Sequence, residues 1–192
     1  MPIGRRQELL SWANAEKNRY IIEDDYDSEF RFAGRPIQTL QSIDENQRVI
    51  YINTFSKSIA PSIRISYLVL PPGLVPVYRE KLGFYSCTVP SFEQYTLAKF
   101  IAGGYFEKHI NRMKKFYRIQ RDLVIKAIEE SRFHDIVQIL EENAGLHFLL
   151  KVDTDRSDRE IIQAAAGADI KISCLSEYLH TPDQRFAHTI LI

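Results

Sequence analysis

Apolar residues first recur at helical spacing, at Leu9, Leu10, Trp12 and Ala13, and then close up into the short run RYIIEDDYD, which ends in acids. The first pattern predicts a helix from Gly4 to Lys17 with Trp12 in the core, and the second a buried strand. RVIYINTF (48–55) and RISYLVLP (64–71) are further β-rich runs, the latter bounded by Pro71 and Pro72. Only about eight or nine residues separate them, fewer than a parallel crossover needs, so this pair is predicted antiparallel on an otherwise αβ-patterned sheet.

Beyond Pro90 the spacing changes to that of helices. One is predicted from about Ser91 to Ala102, closed by Gly103 and Gly104. A long amphipathic helix follows from Tyr105 to about Ser131, with Phe106, Ile110, Met113, Tyr117 and Val124 along one side. DIVQILE, GLHFLLKV, DREIIQAAAGA, IKISCLSEY and HTILI then read as strand, strand, helix, strand, strand, the order of a small α+β domain. The expected division is residues 1–104 as part of a larger α/β domain, 105–131 as the connecting helix and 132–192 as the small domain. The first helix has no strand before it and the last run stops on apolar residues, so both ends are expected to continue in something longer.

Composition narrows the classes. With 192 residues, 45% of them hydrophobic, the chain can build one large domain or two small ones. Lys and Arg total 25 and so do Asp and Glu, so no overall field favours nucleic acid, membrane or an acidic substrate. Cys87 and Cys174 stand far apart with no CxxC or Cys/His spacing, which argues against a disulfide framework or a structural zinc site and suits a reducing cytoplasm. The N-terminal residues have no signal-peptide character, and no run of apolar residues is long enough to span a membrane.

The candidate chemistry starts at NTFSKSIAPSIR (53–64). A strand ending at Phe55 delivers Ser56 and Lys57 to the carboxyl edge of a sheet, where open α/β folds gather ligands. There a partly desolvated ammonium, with a cation such as Arg64 nearby, is expected to become a nucleophile toward a carbonyl. Hydroxyls at Thr54, Ser56 and Ser58 with the Arg64 guanidinium make a phosphate cradle. Taken alone, a loop lysine beside serines is ordinarily solvated surface. YIIEDDYD adds a second strand end with Glu23, Asp24 and Asp25, where a carboxylate could hold a proton on a ring nitrogen and Tyr26 could reach a phenolic oxygen.

Rival chemistries lack their parts. Asp25, Asp27 and Glu29 alternate, but Phe30 and Arg31 follow where a calcium loop needs its glycine. A P-loop nucleotidase requires glycines before its Lys-Ser pair, and NTFSKS has none. The five histidines show no H-E-x-x-H or paired spacing, so no metal site is expected. Lys108, Arg112, Lys114, Lys115, Arg118 and Arg121 lie on the long helix away from its apolar side and are expected to be solvated. Cys174 is read as a packed strand residue.

Together, EDDYDSEFRF and TFSKSIAPSIRISYLVLP resemble the aminotransferase-like domain of the MocR family of bacterial regulators, relatives of fold-type I enzymes that use pyridoxal 5'-phosphate. The resemblance extends through FEQYTLAKFIAGGYFEKHINRMKKFYRIQRD and so covers most of the chain. It implies a partial fold-type I large domain, an α/β unit whose sheet is mostly parallel with one antiparallel strand, plus a small α+β C-terminal domain. Carried over by position, it implies that Lys57 forms the internal aldimine, Asp24 pairs with the pyridine nitrogen and Tyr26 bonds the ring's phenolic oxygen. Thr54, Ser56 and Arg64 would hold the phosphate.

The same resemblance implies a winged helix-turn-helix domain that reads DNA, a glycine-containing turn completing the phosphate site and a ring-stacking aromatic, all upstream and none within residues 1–192. In the family the small domain also supplies an arginine for a substrate carboxylate, for which Arg185 is the candidate here. A homodimer and an amino acid or amine effector, sensed through an external aldimine at Lys57, are further implications. A freestanding class I/II aminotransferase running a full transamination cycle shares these segments, so regulator versus enzyme stays open, as does a binding module without cofactor.

Overall fold

The protein is seen here as a computed structural model that describes residue 1 and residues 3–32, 38–142 and 146–192. Its chain divides into two compact units: unit 1 comprises Met1–Ser28 and Arg35–Asn111, and unit 2 comprises Glu29–Gly34 and Arg112–Ile192.

Unit 1 contains α1 (Ile3–Asn14), β1 (Ile21–Asp24), β2 (Val49–Thr54), the single turn α2 (Phe55–Ser58), β3 (Ser66–Val69), α3 (Val75–Leu82), α4 (Ser91–Ala102) and the first turns of α5 (Tyr105–Glu129). The strands form a sheet in the order β1-β2-β3. β1 runs parallel to β2, with Asp24 opposite Ile52, and β3 runs antiparallel to β2, with Ser66 opposite Thr54. The antiparallel pairing follows from the short connection: α2 turns the chain over, and the Phe55 N–H already donates to the Ile65 carbonyl at 2.9 Å before β3 begins. Entry into β2 is set by Asp44, whose carboxylate accepts the N–H groups of Asn46, Arg48 and Val49.

One face of this sheet is the packed one. Val49 and Asn53 are buried on it, and Leu40, Ile65, Ile110 and Ala13 complete the core of the unit. The opposite face stays open among the described residues: Ile22 is 66% exposed and Leu68 44%. Trp12 differs from its sequence expectation. Only Ala13 of α1 is buried, and Trp12 is half exposed beneath the Arg19 guanidinium, 5.0 Å from its ring centroid. The apolar residues of α1 are too few to form a full stripe, so its smallest one makes the packing contact.

α4 ends as the sequence suggests, because Gly104 adopts a left-handed φ of 69° that a side chain would resist. Gly103 is constrained differently: a Cβ there would lie 2.6 Å from the Tyr105 ring.

Unit 2 contains the rest of α5, then β4 (Val137–Leu140), β5 (Leu149–Val152), α6 (Asp158–Gly167), β6 (Ser173–Cys174) and β7 (Thr189–Leu191). The sheet order is β4-β5-β7-β6 with every pairing antiparallel. This is the strand, strand, helix, strand, strand order read from the sequence, although Gly145 of the second run lies outside the described residues. Phe148, Cys174 and Ile190 are buried against the sheet, and buried Phe30 meets Tyr117 edge-on at 5.4 Å.

α6 starts on a capping box, in which Ser157 and Glu160 satisfy each other's backbone N–H groups. It ends on a Schellman turn: Ile170 N–H donates to Ala165 O and Asp169 N–H to Ala166 O, with Asp169 at φ 61°. One expectation for α5 changes here. Arg121 is not solvated: its guanidinium lies over Phe32 at 4.8 Å and donates to Glu142 O and Asp122. Val124 is 42% exposed, on the rim of a cavity of about 170 Å³ that Arg121 also lines.

Candidate functional site

Parallel pairing of β1 with β2 puts the ends of both strands at one sheet edge, and the two candidate segments follow directly from those ends. β1 finishes on its acids, whose side chains alternate between the two faces. Glu23 points to the packed side and accepts the N–H groups of Leu40 (2.7 Å) and Gln41 (2.9 Å), fixing the turn that leads toward β2. Asp25 extends the ladder by donating its N–H to Ile52 O, and its carboxylate accepts the hydroxyls of Tyr51 (2.8 Å) and Ser28 (2.9 Å). Asp24, between them, is exposed on the open face and has no hydrogen-bond partner among the described residues. Of the three acids, Glu23 is therefore used to hold backbone N–H groups, Asp25 to hold two side-chain hydroxyls, and one is left over.

Tyr26 lies 40% exposed just beyond this strand. Partial burial raises its phenol above the ordinary value, and the carboxylates of Asp27 and Asp24 push the same way. It is kept neutral, and so able to donate.

At the neighbouring strand end, Thr54 is the N-cap of α2. Its hydroxyl accepts from Ser56 N at 3.2 Å and donates to Ile65 O at 3.2 Å. Ser56 Oγ donates to Ile63 O at 2.6 Å and accepts from Arg64 Nη1 at 3.3 Å. Each hydroxyl has one proton, already given to a carbonyl. Donating to a phosphate would require releasing that carbonyl, which leaves the Arg64 guanidinium as the better-placed donor. The Ser58 hydroxyl is buried without a partner among the described residues. Lys57 is exposed on α2, so the desolvation expected from the sequence is not supplied by the described residues of unit 1.

Unit 1 thus brings Asp24, Tyr26, Thr54, Ser56, Lys57 and Arg64 to the ends of two adjacent parallel strands. Arg185 belongs to unit 2, in a short turn where it is paired with Asp183 at 2.6 Å, its side chain 81% exposed. That pairing holds the Asp183 carboxyl below its usual range. Sequence reading missed Tyr51 and Asn53. They sit two apart on β2 and so share a face, but only the strand register shows that Asp25 joins them there.

No protein-family model matches the chain. The uncharacterized HTH-type transcriptional regulator YhdI of Bacillus subtilis is 49% identical over 166 residues, which are 86% of this chain and 35% of YhdI. The probable rhizopine catabolism regulatory protein MocR of Rhizobium meliloti is 36% identical over 169 residues, 88% of this chain and 34% of that protein. The chain belongs to the aminotransferase-like part of the MocR-type regulators.

Its fold agrees with that family. The kynurenine aminotransferase of Pyrococcus horikoshii, solved in complex with PMP, matches all of this chain over 46% of its own, with a TM-score of 0.83 and 28% identity. The architecture is accordingly part of a fold-type I transferase, as the MocR-type resemblance implied. The chain spans about a third of the length of these curated relatives and less than half of the solved aminotransferase. Among the described residues no helix is long and apolar enough to cross a membrane, and no group of three or more His, Cys, Asp or Glu could hold a metal ion.

Proposed function

We propose that the chain is the cofactor-holding part of a MocR-type regulator, in which pyridoxal 5'-phosphate is bound at the β1 and β2 ends and an amino acid or amine is the signal. The observation that carries this reading is the division of labour at the end of β1. Glu23 and Asp25 are committed to the backbone and to Tyr51, while Asp24 is left unpaired among the described residues on the open face.

The residues fit the group. Asp24 offers a carboxylate that can hold a proton on a pyridine nitrogen, and Tyr26 a neutral phenol able to donate to the ring's phenolic oxygen. Arg64 offers a guanidinium for the phosphate, steadied on Ser56 Oγ, and Thr54 keeps α2 in register beneath it. Lys57 presents a primary amine without a partner among the described residues. When bound, the cofactor supplies an aldehyde that condenses with primary amines. Competition between Lys57 and an incoming amine for it is then the sensing event, biasing a conformational equilibrium that a DNA-binding domain elsewhere reads. Arg185 is the candidate for an effector carboxylate, the assembly a homodimer and the compartment the cytoplasm.

A freestanding aminotransferase is the second reading, favoured by the likeness to the Pyrococcus horikoshii enzyme. Borohydride reduction of the intact protein with pyridoxal 5'-phosphate, followed by peptide mapping, is expected to place the label on the Lys57 peptide. Label on another peptide, or on none, refutes both readings. Release of a keto acid from an added amino acid over many turnovers would select the enzyme.

A further inference from the structure

A hydrogen-bonded and aromatic cluster on the packed face of the unit 1 sheet links the two strand ends. Tyr51 donates its hydroxyl to Asp25 Oδ2 at 2.8 Å and accepts from Asn53 Nδ2 at 2.9 Å. Asn53, 3% exposed, accepts the Thr54 N–H at 2.5 Å, one residue before α2. The Tyr51 ring lies 6.1 Å from that of Tyr67, which lies 5.6 Å from Phe55, the first residue of α2. From one phenol, contacts therefore run to the residue after Asp24 and to the first residues of the turn that carries Lys57.

Burial pushes the Tyr51 phenol well above its ordinary range, so it stays protonated and keeps donating. Tyr51 and Asn53 lie on the opposite face from Asp24, and Tyr51 has no part in the proposed ligand contacts. β1 contributes only four residues to the sheet and ends at Asp24, and α2 is a single turn. Such short elements are poorly fixed by their own ladders, and side-chain bonds at their ends decide their geometry.

We propose that Tyr51 is a positioning residue that sets the separation between Asp24 and Lys57, through Asp25 on one side and Asn53 with Tyr67 and Phe55 on the other. The inference rests on the cofactor reading above and is separable from it. If Asp24 keeps the ring nitrogen protonated, that positive charge disfavours a second proton at the lysine-linked nitrogen. Loosening Asp24 then moves the pH midpoint of the bound cofactor's visible band upward.

The test compares wild type, Asp24→Asn, Tyr51→Phe, Asp25→Ala and Asp25→Asn in the intact protein titrated with pyridoxal 5'-phosphate. Measured are affinity, the pH midpoint of the band, the borohydride-labelled peptide and the thermal midpoint. Tyr51→Phe and Asp25→Ala are expected to weaken binding roughly three- to tenfold and to shift the pH midpoint in the direction of Asp24→Asn. Asp25→Asn, whose amide oxygen still accepts the Tyr51 hydroxyl, should stay near wild type. A Tyr51→Phe protein that folds but matches wild type in affinity and midpoint, while Asp24→Asn moves both, overturns the positioning role alone. Absence of label at Lys57, or an Asp24→Asn protein identical to wild type, overturns the cofactor reading instead. If Tyr51→Phe does not fold, the Asp25→Ala and Asp25→Asn pair decides, and equal behaviour of the two refutes the proposal.

Discussion

Replacing Thr54 by valine keeps the size and the β-branch that suit its extended φ and ψ of −135° and 142°, and removes only the hydroxyl. Two hydrogen bonds go with it, from Ser56 N and to Ile65 O. They are not equal losses. Ile65 O still accepts the Phe55 N–H at 2.9 Å, so its share lies at the low end of a hydrogen bond's net worth. Ser56 N–H has no other partner among the described residues and loses a helix cap, worth about 1 kcal/mol and up to about 2. The sum for Thr54→Val is a destabilisation of about 1–2 kcal/mol, with Thr54→Ser within about 0.5 kcal/mol of wild type. Urea unfolding without added ligand measures both, at unchanged dependence on denaturant. If Thr54→Val unfolds like wild type yet binds pyridoxal 5'-phosphate more weakly, the hydroxyl faces ligand rather than backbone, and the assignment of its proton to Ile65 is wrong.

Three further outcomes are expected. At pH 8 a thiol reagent should modify exposed Cys87 in the native protein and leave buried Cys174 until unfolding, as mass mapping would show. Burial, with Asp158 and Glu177 adding, pushes the Cys174 thiol up to about 11 from an ordinary 9.0. The folded pKa is the higher one, so the contribution is whole below pH 9 and lost as pH rises toward 11, and Cys174→Ala should flatten that part of the stability profile. Asp169→Gly should stabilise unit 2 by about 0.5–1 kcal/mol in thermal or urea unfolding, because glycine relieves the left-handed strain that Asp169 carries. A loss of stability would mean that the aspartate side chain supports the turn.

The local grammar of this chain was legible in its residues. The short link between TFSKS and RISYLV forced β3 antiparallel, Gly103 and Gly104 stopped α4, and the run of strand, strand, helix, strand, strand read correctly as a small α+β unit. Each of these depends on contacts among near neighbours, whose steric and hydrogen-bonding limits the residue types carry with them. The segments EDDYD and SKSIAPSIR could likewise be singled out, because an acidic strand end and a lysine beside hydroxyls offer complementary chemistry, a carboxylate for a ring nitrogen and an amine for a carbonyl.

What the residues alone could not decide is which group does which task. Three consecutive acids look equivalent in one dimension, and only the pairing of β1 with β2 commits Glu23 to Leu40 and Gln41, Asp25 to Tyr51, and leaves Asp24 facing outward. Trp12 and Arg121 were misjudged for the same reason, since helical periodicity says which residues share a side but not what that side meets. Burial and hydrogen-bond partners come from segments far apart in the chain. They exist only once the sheet has brought those segments together.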